Sequence, residues 1–329
     1  MINIRSPFRL PLGGGGTDLP EYYSKFGGFL VTAAIDKYMY IAINRPALVD
    51  KIMVRYSETE TVTRLEDLKH DIARNVLLLL DHHSPIHINS MADIAAGTGL
   101  GSSSAYAVGL IKGLLHLQRL YLPLKEIAEM ACKVEIELCK KPIGKQDQYA
   151  TTFGGLIVLT IDTKGNVEVA PLNVEEETVH DLEHRLMMFY TNIQRDANDI
   201  LGEQSHKVKT NDAVVLESMH KIKAIAMEIR QALEQGDVTK FGTLMHEHWT
   251  VKKKITKTMS SNRIDKWYDI ALNHGALGGK LMGAGGGGFL LLCTEPEKRK
   301  SLRTTLEKAG LRYMPFAFDM EGAKVLMNL

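Results

Sequence analysis

The sequence predicts an α+β protein in two lobes. Strand-like and helix-like patterns are mixed within each half of the chain rather than segregated. After about Asn173 the composition shifts from β-branched and apolar runs to long, charged helical patterns. Three glycine-rich clusters stand beside expected strand or helix ends. Together these place a boundary near residue 180, with an N-terminal domain over 1–180 and a C-terminal domain over 181–329 and no flexible linker between them.

Gly28–Asn44 is rich in β-branched and aromatic residues and reads as a strand. Lys51–Ser57 and Thr61–Leu65 follow as short strands. Leu65, Leu68, Ile72, Val76, Leu79 and Leu80 recur at helical spacing, which makes Glu66–Leu80 a helix. Pro85–Met91 is another strand. The glycines of Gly97–Gly101 lead into an apolar helix over Ser102–Leu120. Beyond Pro123 a second helix runs from Leu124 to Lys140. Gly144–Thr152 is a loop or short helix, and Gly155–Ile161 pairs with Asn166–Ala170 in a hairpin. Val174–Arg185 is charged and turn-like, and Leu186–Thr191 is a strand. Helical patterns cover Ala197–Val208, Ala213–Glu234, Val238–Ile255 and Arg263–Asn273. A strand–glycine loop–strand spans Gly279–Cys293. A helix over Glu297–Ala309 and a strand over Arg312–Phe318 close the chain.

At 329 residues the chain buries a large core without disulfide staples. Lys and Arg number 40 against 39 Asp and Glu, a net charge of +1, which excludes a generally basic nucleic-acid binder. None of Cys132, Cys139 and Cys293 stands in a C-x-x-C pair, so no cysteine zinc site is expected. A sparse, odd cysteine count fits a reducing compartment. MINIRSPFRL lacks the apolar core of a signal peptide. No apolar run approaches the ~20 residues of a membrane span. The expectation is a cytoplasmic protein with neither nucleic acid nor membrane as partner. A homo-oligomer is left open.

The glycine clusters carry the chemistry. Gly97-Thr-Gly-Leu-Gly101 lies between a strand and a helix that starts with Ser102-Ser103-Ser104. Glycine lets backbone approach an anion, and a helix N-terminus offers unpaired N–H groups and partial positive charge. The serine hydroxyls suit phosphate oxygens or Mg²⁺. This is no Walker A loop, because no lysine follows Gly101. Gly283, Gly285 and Gly288 match G-x-G-x-x-G, but a strand follows where the dinucleotide fingerprint needs a helix. Gly13–Gly16 ends in Thr17-Asp18, which suits a loop presenting a carboxylate to a hydroxylated ligand, or equally an Asx turn or helix cap.

In this order, SPFRLPLGGGGTD (Ser6–Asp18), GTGLGSSSA (Gly97–Ala105) and KLMGAGGGGF (Lys280–Phe289) resemble the three motifs of the GHMP kinase superfamily. The resemblance spans nearly the whole chain. It implies an N-terminal lobe like ribosomal protein S5 domain 2, a ferredoxin-like C-terminal lobe, and a cleft between them where ATP meets its acceptor. GGGTDLPEYY, EIEL and QDQYATTFGG look most like D-glycero-D-manno-heptose 7-phosphate kinases. Gly15 and Gly16 stand where galactokinases have Glu-His, and Ala96 stands where the second motif usually has proline.

What the resemblance implies for residues follows position by position. Gly97, Thr98, Gly99, Leu100, Gly101, Ser102, Ser103 and Ser104, with Gly285 and Gly286, would hold ATP. Ser103 and Glu135 would hold Mg²⁺, Glu135 standing twelve residues before Asp147 and Glu137 being the weaker choice. Asp147 is the implied catalytic aspartate. Arg9, nine residues before Asp18, would stabilise it and the developing alkoxide. Gly15, Thr17 and Asp18 would bind the acceptor, and Arg195 or Lys280 the phosphate that it already carries. The implied reaction is phosphorylation of the anomeric hydroxyl to the 1,7-bisphosphate, toward nucleotide-activated heptose for surface polysaccharide. Another sugar kinase, L-fucokinase-like, or a non-catalytic sugar sensor are the alternatives. His246-Glu-His248 is set aside because i,i+2 histidines do not share a helix face. His82-His83 reads as a polar helix end, and Lys252-Lys-Lys254 as a solvated patch.

Overall fold

The computed structural model describes residues 1–193, 197–256 and 258–328. In chain order the first lobe comprises β1 (Ile2–Gly13), α1 (Pro20–Phe26), β2 (Gly28–Asn44), β3 (Ile52–Arg55), β4 (Thr59–Val62), α2 (Asp71–Leu79) and β5 (His87–Ala92). It continues with α3 (Ser102–Leu117), α4 (Leu124–Cys132), α5 (Gln146–Phe153), β6 (Leu156–Ile161) and β7 (Val167–Pro171). There follow α6 (Glu176–Arg185), β8 (Leu186–Tyr190), α7 (Ala197–Lys209), α8 (Ala213–Glu234), α9 (Val238–Lys252) and α10 (Asn262–Asn273). The chain ends with β9 (Ala276–Leu281), β10 (Phe289–Thr294), α11 (Arg299–Lys308), β11 (Arg312–Met314) and β12 (Lys324–Asn328).

The strands make two sheets. The first runs β12-β1-β2-β5-β3-β4, and β6 and β7 extend it from the start of β2. Long β2 therefore changes neighbour along its length, pairing β6 through Gly28–Ala33 and β5 through Met39–Asn44. The second sheet is four antiparallel strands, β11-β8-β10-β9. A cut near residue 180 separates the sheets except for β12, which returns to pair with β1.

Several elements depart from expectation for identifiable reasons. Val174–Arg185 is not turn-like, because α6 forms there with Leu182 as its buried anchor. Glu176 and Glu177 in its first turn and His184 and Arg185 in its last complement the helix dipole. The expected helix over Glu66–Leu80 splits into a single 3₁₀ turn and α2, which starts where His70 accepts the N–H of Ala73 at 3.2 Å. The helix from Leu124 loses its α-geometry after Cys132 and widens into a π-turn over Lys133–Leu138. π-turns are uncommon and concentrate at functional sites. His82 is buried rather than a polar helix end.

One continuous core joins the lobes. Phe8, Leu10 and Leu12 of β1 pack with Ile222, Ile225 and Ile229 of α8 and, beyond them, with Phe189 and Leu290 of the second sheet. Each such side chain contributes about 1.5–3 kcal/mol on full burial. The opposite face of the first sheet packs against α2 and α3. The end of β1 and the start of α3 are thus fixed from both sides, and they meet at the cleft.

Candidate active site

Arg9 sits on β1, and its backbone N–H donates to the carbonyl of Leu100 at 3.1 Å, so the strand runs beside the second glycine loop. Its guanidinium grips Asp147 with two parallel bonds, Nε to Oδ1 at 2.7 Å and Nη2 to Oδ2 at 2.6 Å. The third nitrogen, Nη1, donates to the carbonyl of Gly99 at 2.6 Å. A bidentate, charge-assisted pair fixes direction as well as distance. The Arg9 side chain is 6% exposed and that of Asp147 25%, so the carboxylate is the member that opens to the cleft.

Asp18 approaches from the other side. Its Oδ1 accepts the N–H of Gly16 and its Oδ2 the N–H of Gln146, each at 3.0 Å. Burial pushes its carboxyl above the usual range and neighbouring Asp147 adds to this, while the N–H donors pull the other way. A Cβ on Gly144 would lie 2.0 Å from Asp18 Oδ2, so that turn requires glycine. The side-chain nitrogen of Gln146 is buried without a hydrogen-bond partner among the described residues, and Gln146 lines the cleft with Gly15 and Asp18. Thr17 is placed differently from expectation. Fully buried, it spends its hydroxyl on the backbone of Gly14 and Phe29 and holds the loop rather than facing a ligand.

The second loop enters α3 through Gly101 in the left-handed conformation, and no side chain caps the helix. The first N–H groups of α3 are therefore left for a ligand. Gly97, Gly99, Gly101, Ser102 and Ser103 keep some exposure, whereas Leu100 is buried in the core and Thr98 turns its hydroxyl to the carbonyl of Ala95. The third loop packs against the second, since a Cβ on Gly283 would lie 2.7 Å from the Cα of Gly99. Gly285 is pressed on Met259, whose carbonyl takes the N–H of Gly286 at 2.9 Å. That N–H already has an acceptor, which departs from the expectation for Gly286, while for Gly285 the structure shows close packing on Met259.

Ser103 and Ser104 point their hydroxyls at opposite oxygens of Glu135, Ser104 to Oε2 at 2.6 Å. Gln148 donates to Oε2 at 2.7 Å, and Lys141 donates to the Ser103 hydroxyl at 2.8 Å. Glu135 is fully buried on the π-turn, and Glu137 is exposed. A serine hydroxyl beside a buried carboxylate is a hard-oxygen donor set of the kind Mg²⁺ takes when phosphates and water complete its shell.

Two further cations line the cleft. Lys280, 1% exposed, donates to the carbonyl of Leu12 at 3.1 Å. Lys252, 7% exposed, donates to the carbonyl of Gly283 at 2.9 Å. Lys252 was expected in a solvated patch; the last turn of α9 instead turns it inward. Burial, with Arg9 next, pushes its ammonium down to about 8, against the pull of Asp18. Lys280 is likewise held well below the usual range, by burial and then by Lys252 and Arg9. Arg195 lies outside the described residues.

The chain matches the model for the GHMP kinases N terminal domain over residues 69–155 and that for GHMP kinases C terminal over residues 229–310. It is 33% identical to a D-glycero-alpha-D-manno-heptose 7-phosphate kinase of Campylobacter jejuni over 98% of both chains. It is 28% identical to a galactokinase of Pyrococcus furiosus over 92% of this chain and 91% of the other. A crystal structure of a D-glycero-D-manno-heptose 1-phosphate kinase from Bacteroides thetaiotaomicron superposes with a TM-score of 0.83 over 100% of both chains at 27% identity. Among the described residues no helix is long and apolar enough to cross a membrane.

Proposed function

The chain belongs to the GHMP kinases, phosphotransferases with an alcohol group as acceptor, and from that premise we propose that it phosphorylates a heptose monophosphate. The proposed acceptor is D-glycero-D-manno-heptose 7-phosphate, and the proposed product the 1,7-bisphosphate. The two heptose kinases above differ in the carbon that their names give to the phosphate, so the resident phosphate is the shared feature. The observation that carries the reading is the company Asp147 keeps. An Arg9-clamped carboxylate opens on a cleft that also holds two buried lysines, neither within ion-pair range of a carboxylate among the described residues.

In this reading Mg·ATP supplies the phosphoryl group and the divalent charge that offsets it. The loop Gly97–Gly101 and the uncapped start of α3 present backbone N–H groups to the triphosphate. Ser103 and Glu135 would hold Mg²⁺, with Gln148 and Ser104 fixing the carboxylate. Asp18 accepts from sugar hydroxyls, and the spare amide of Gln146 donates to one. Asp147 takes the proton of the hydroxyl being phosphorylated, and Arg9 holds that carboxylate and meets the developing negative charge. Gly15 leaves room where galactokinases carry a larger side chain. Lys280 is the described candidate for the phosphate already on the sugar.

The test is ADP release with the heptose 7-phosphate, free heptose, mannose, L-fucose, galactose and mevalonate as acceptors. The heptose 7-phosphate should turn over fastest. Faster turnover of galactose or mevalonate would sink the assignment.

A further inference from the structure

Helix α9 brings a charge into the cleft that neither the metal pair nor the Arg9–Asp147 clamp uses. Among the described residues Lys252 makes one hydrogen bond, to a backbone carbonyl, and Lys280 does the same. An ammonium has three N–H donors, so each keeps two. A buried cation is costly unless an anion or several acceptors answer it. The next residue along, Lys253, has such an answer in Asp265 at 3.1 Å, whereas Lys252 has none among the described residues. His248, one turn earlier on α9, is fully buried, and neither ring nitrogen has a partner among the described residues. Burial and then the two lysines hold its imidazole well below the ordinary value, so it stays neutral and cancels no positive charge.

Position decides which anion the pair answers. Lys252 and Lys280 line the same cleft as Gly15, Asp18 and Gln146, and no residue from Gly97 to Ser104 lines it. The spare charge therefore faces the acceptor side of Asp147. The third glycine loop joins the two lysines to the first motif, because Lys252 holds the carbonyl of Gly283 and Lys280 that of Leu12.

Resting on the reading that the acceptor is a sugar phosphate, we propose that Lys252, together with Lys280, binds the phosphate that the acceptor already carries and makes the enzyme prefer phosphorylated over free sugar. The phosphate's oxygens take the spare N–H donors, and its charge stabilises both ammonium groups. Among the described residues, Arg9 from β1 and Lys280 from β9 repel the Lys252 proton, Asp18 from the first loop favours it, neutral His248 on its own helix leaves it unchanged, and Asp147 on the same cleft is paired with Arg9. Arrival of a dianion outweighs the repulsion, so binding takes up a proton where Lys252 is otherwise neutral.

The experiment compares kcat/KM for heptose 7-phosphate with that for free heptose in the wild type, Lys252→Met and Lys252→Arg. Wild type should favour the phosphorylated sugar. Lys252→Met should cut that ratio by ~10²-fold or more, through the KM of the phosphorylated sugar, with the KM of ATP unmoved. Lys252→Arg should restore part of it. An unchanged ratio in Lys252→Met overturns the proposal. So does an equal loss with both sugars accompanied by a raised KM for ATP, which would assign the lysine to the nucleotide. A wild type with no preference for the phosphorylated sugar refutes the substrate reading first, and this proposal with it. A second measurement needs no variant. Calorimetric binding of heptose 7-phosphate to the wild type at about pH 8.5, in buffers of different ionisation enthalpy, should report proton uptake. The sugar phosphate is already a dianion there, since its second pKa is near ~6. No uptake also overturns the proposal.

Discussion

Asp18 accepts the backbone N–H of Gln146 at 3.0 Å, which ties the first glycine loop to the turn carrying Asp147. The bond fixes the proposed acceptor-binding carboxylate beside the proposed catalytic one. Gly144 permits it by leaving space for the Asp18 carboxylate. Gly144→Ala should force the two apart, because the new methyl would lie 2.0 Å from Asp18 Oδ2 and 2.7 Å from its carbonyl oxygen. The expected cost is about 1–3 kcal/mol of stability, the usual price of overpacking. Acceptor KM should rise, and ATP binding should change little. Thermal unfolding and steady-state kinetics check both; unchanged acceptor KM would separate Asp18 from the acceptor.

Asp147→Asn keeps one oxygen for Arg9 and should keep the fold. It removes the proton acceptor, so kcat should drop by ~10²–10⁴ while nucleotide affinity holds. Single-turnover kinetics beside nucleotide titration is the measurement. Turnover near the wild-type value would take Asp147 out of the reaction.

Glu135→Ala leaves the hydroxyls of Ser103 and Ser104 and the amide of Gln148 without their common acceptor. Stability should fall by about 1–3 kcal/mol for the unsatisfied buried groups. The Mg²⁺ concentration for half-maximal rate should rise as well, and likewise in Ser103→Ala. Exposed Glu137→Ala should leave both quantities unmoved. A Mg²⁺ titration of the three variants, with unfolding midpoints, distinguishes a metal role for Glu135 from a purely structural one.

The local parts of this architecture were legible in the sequence, and the long-range parts were not. Arg9, Asp18, Ser103, Glu135 and Asp147 each stand in a short pattern, and the structure pairs Arg9 with Asp147, Ser103 with Glu135, and Asp18 with the backbone of Gln146. Strand β1 went unread because Pro7 and Pro11 argue against a strand inside a sheet. The register shifts at Pro7/Phe8 and Pro11/Gly13 absorb them, and β12 pairs only with Ile2–Arg5, leaving the prolines' outer side without a ladder. Strand β12 itself has no local signal, being a short, half-exposed tail paired with the start of the chain. Helix α6 hid behind its charges, with Leu182 as its buried residue. Lys252 looked solvated beside Lys253 and Lys254, because only the packing of α9 against β9 and the third loop buries it. The pattern around Gly285 and Gly286 suggests a phosphate cradle, and only the fold shows Gly285 against Met259 and the Gly286 N–H on the Met259 carbonyl.

If Lys252 binds the acceptor's phosphate, its titration should give a pH dependence that distinguishes the two kinds of acceptor. Burial, then Arg9, brings its ammonium down to about 8 in the free protein. Below that value Lys252 is charged and would supply its share of the proposed anion site, while Lys280 is itself held well below the usual range. Above it the lysine loses its proton, and binding a dianion must first recover it. The KM for heptose 7-phosphate should therefore rise as pH climbs through about 8, by up to ~10-fold per pH unit from the loss of the Lys252 proton. The KM for free heptose, which places no charge there, should stay flat across the same window. Stability runs the opposite way. The folded-state value lies below the ~10.4 of an unfolded lysine, so between about pH 8 and ~10.4 the unfolded chain binds more protons. This group's contribution then makes the apo protein more stable as pH rises through that window, and Lys252→Met should abolish the increment. The check is a pH series of KM with both acceptors, alongside unfolding midpoints of wild type and Lys252→Met. A parallel rise for both sugars would attribute the titration to a group shared by all acceptors rather than to the phosphate site.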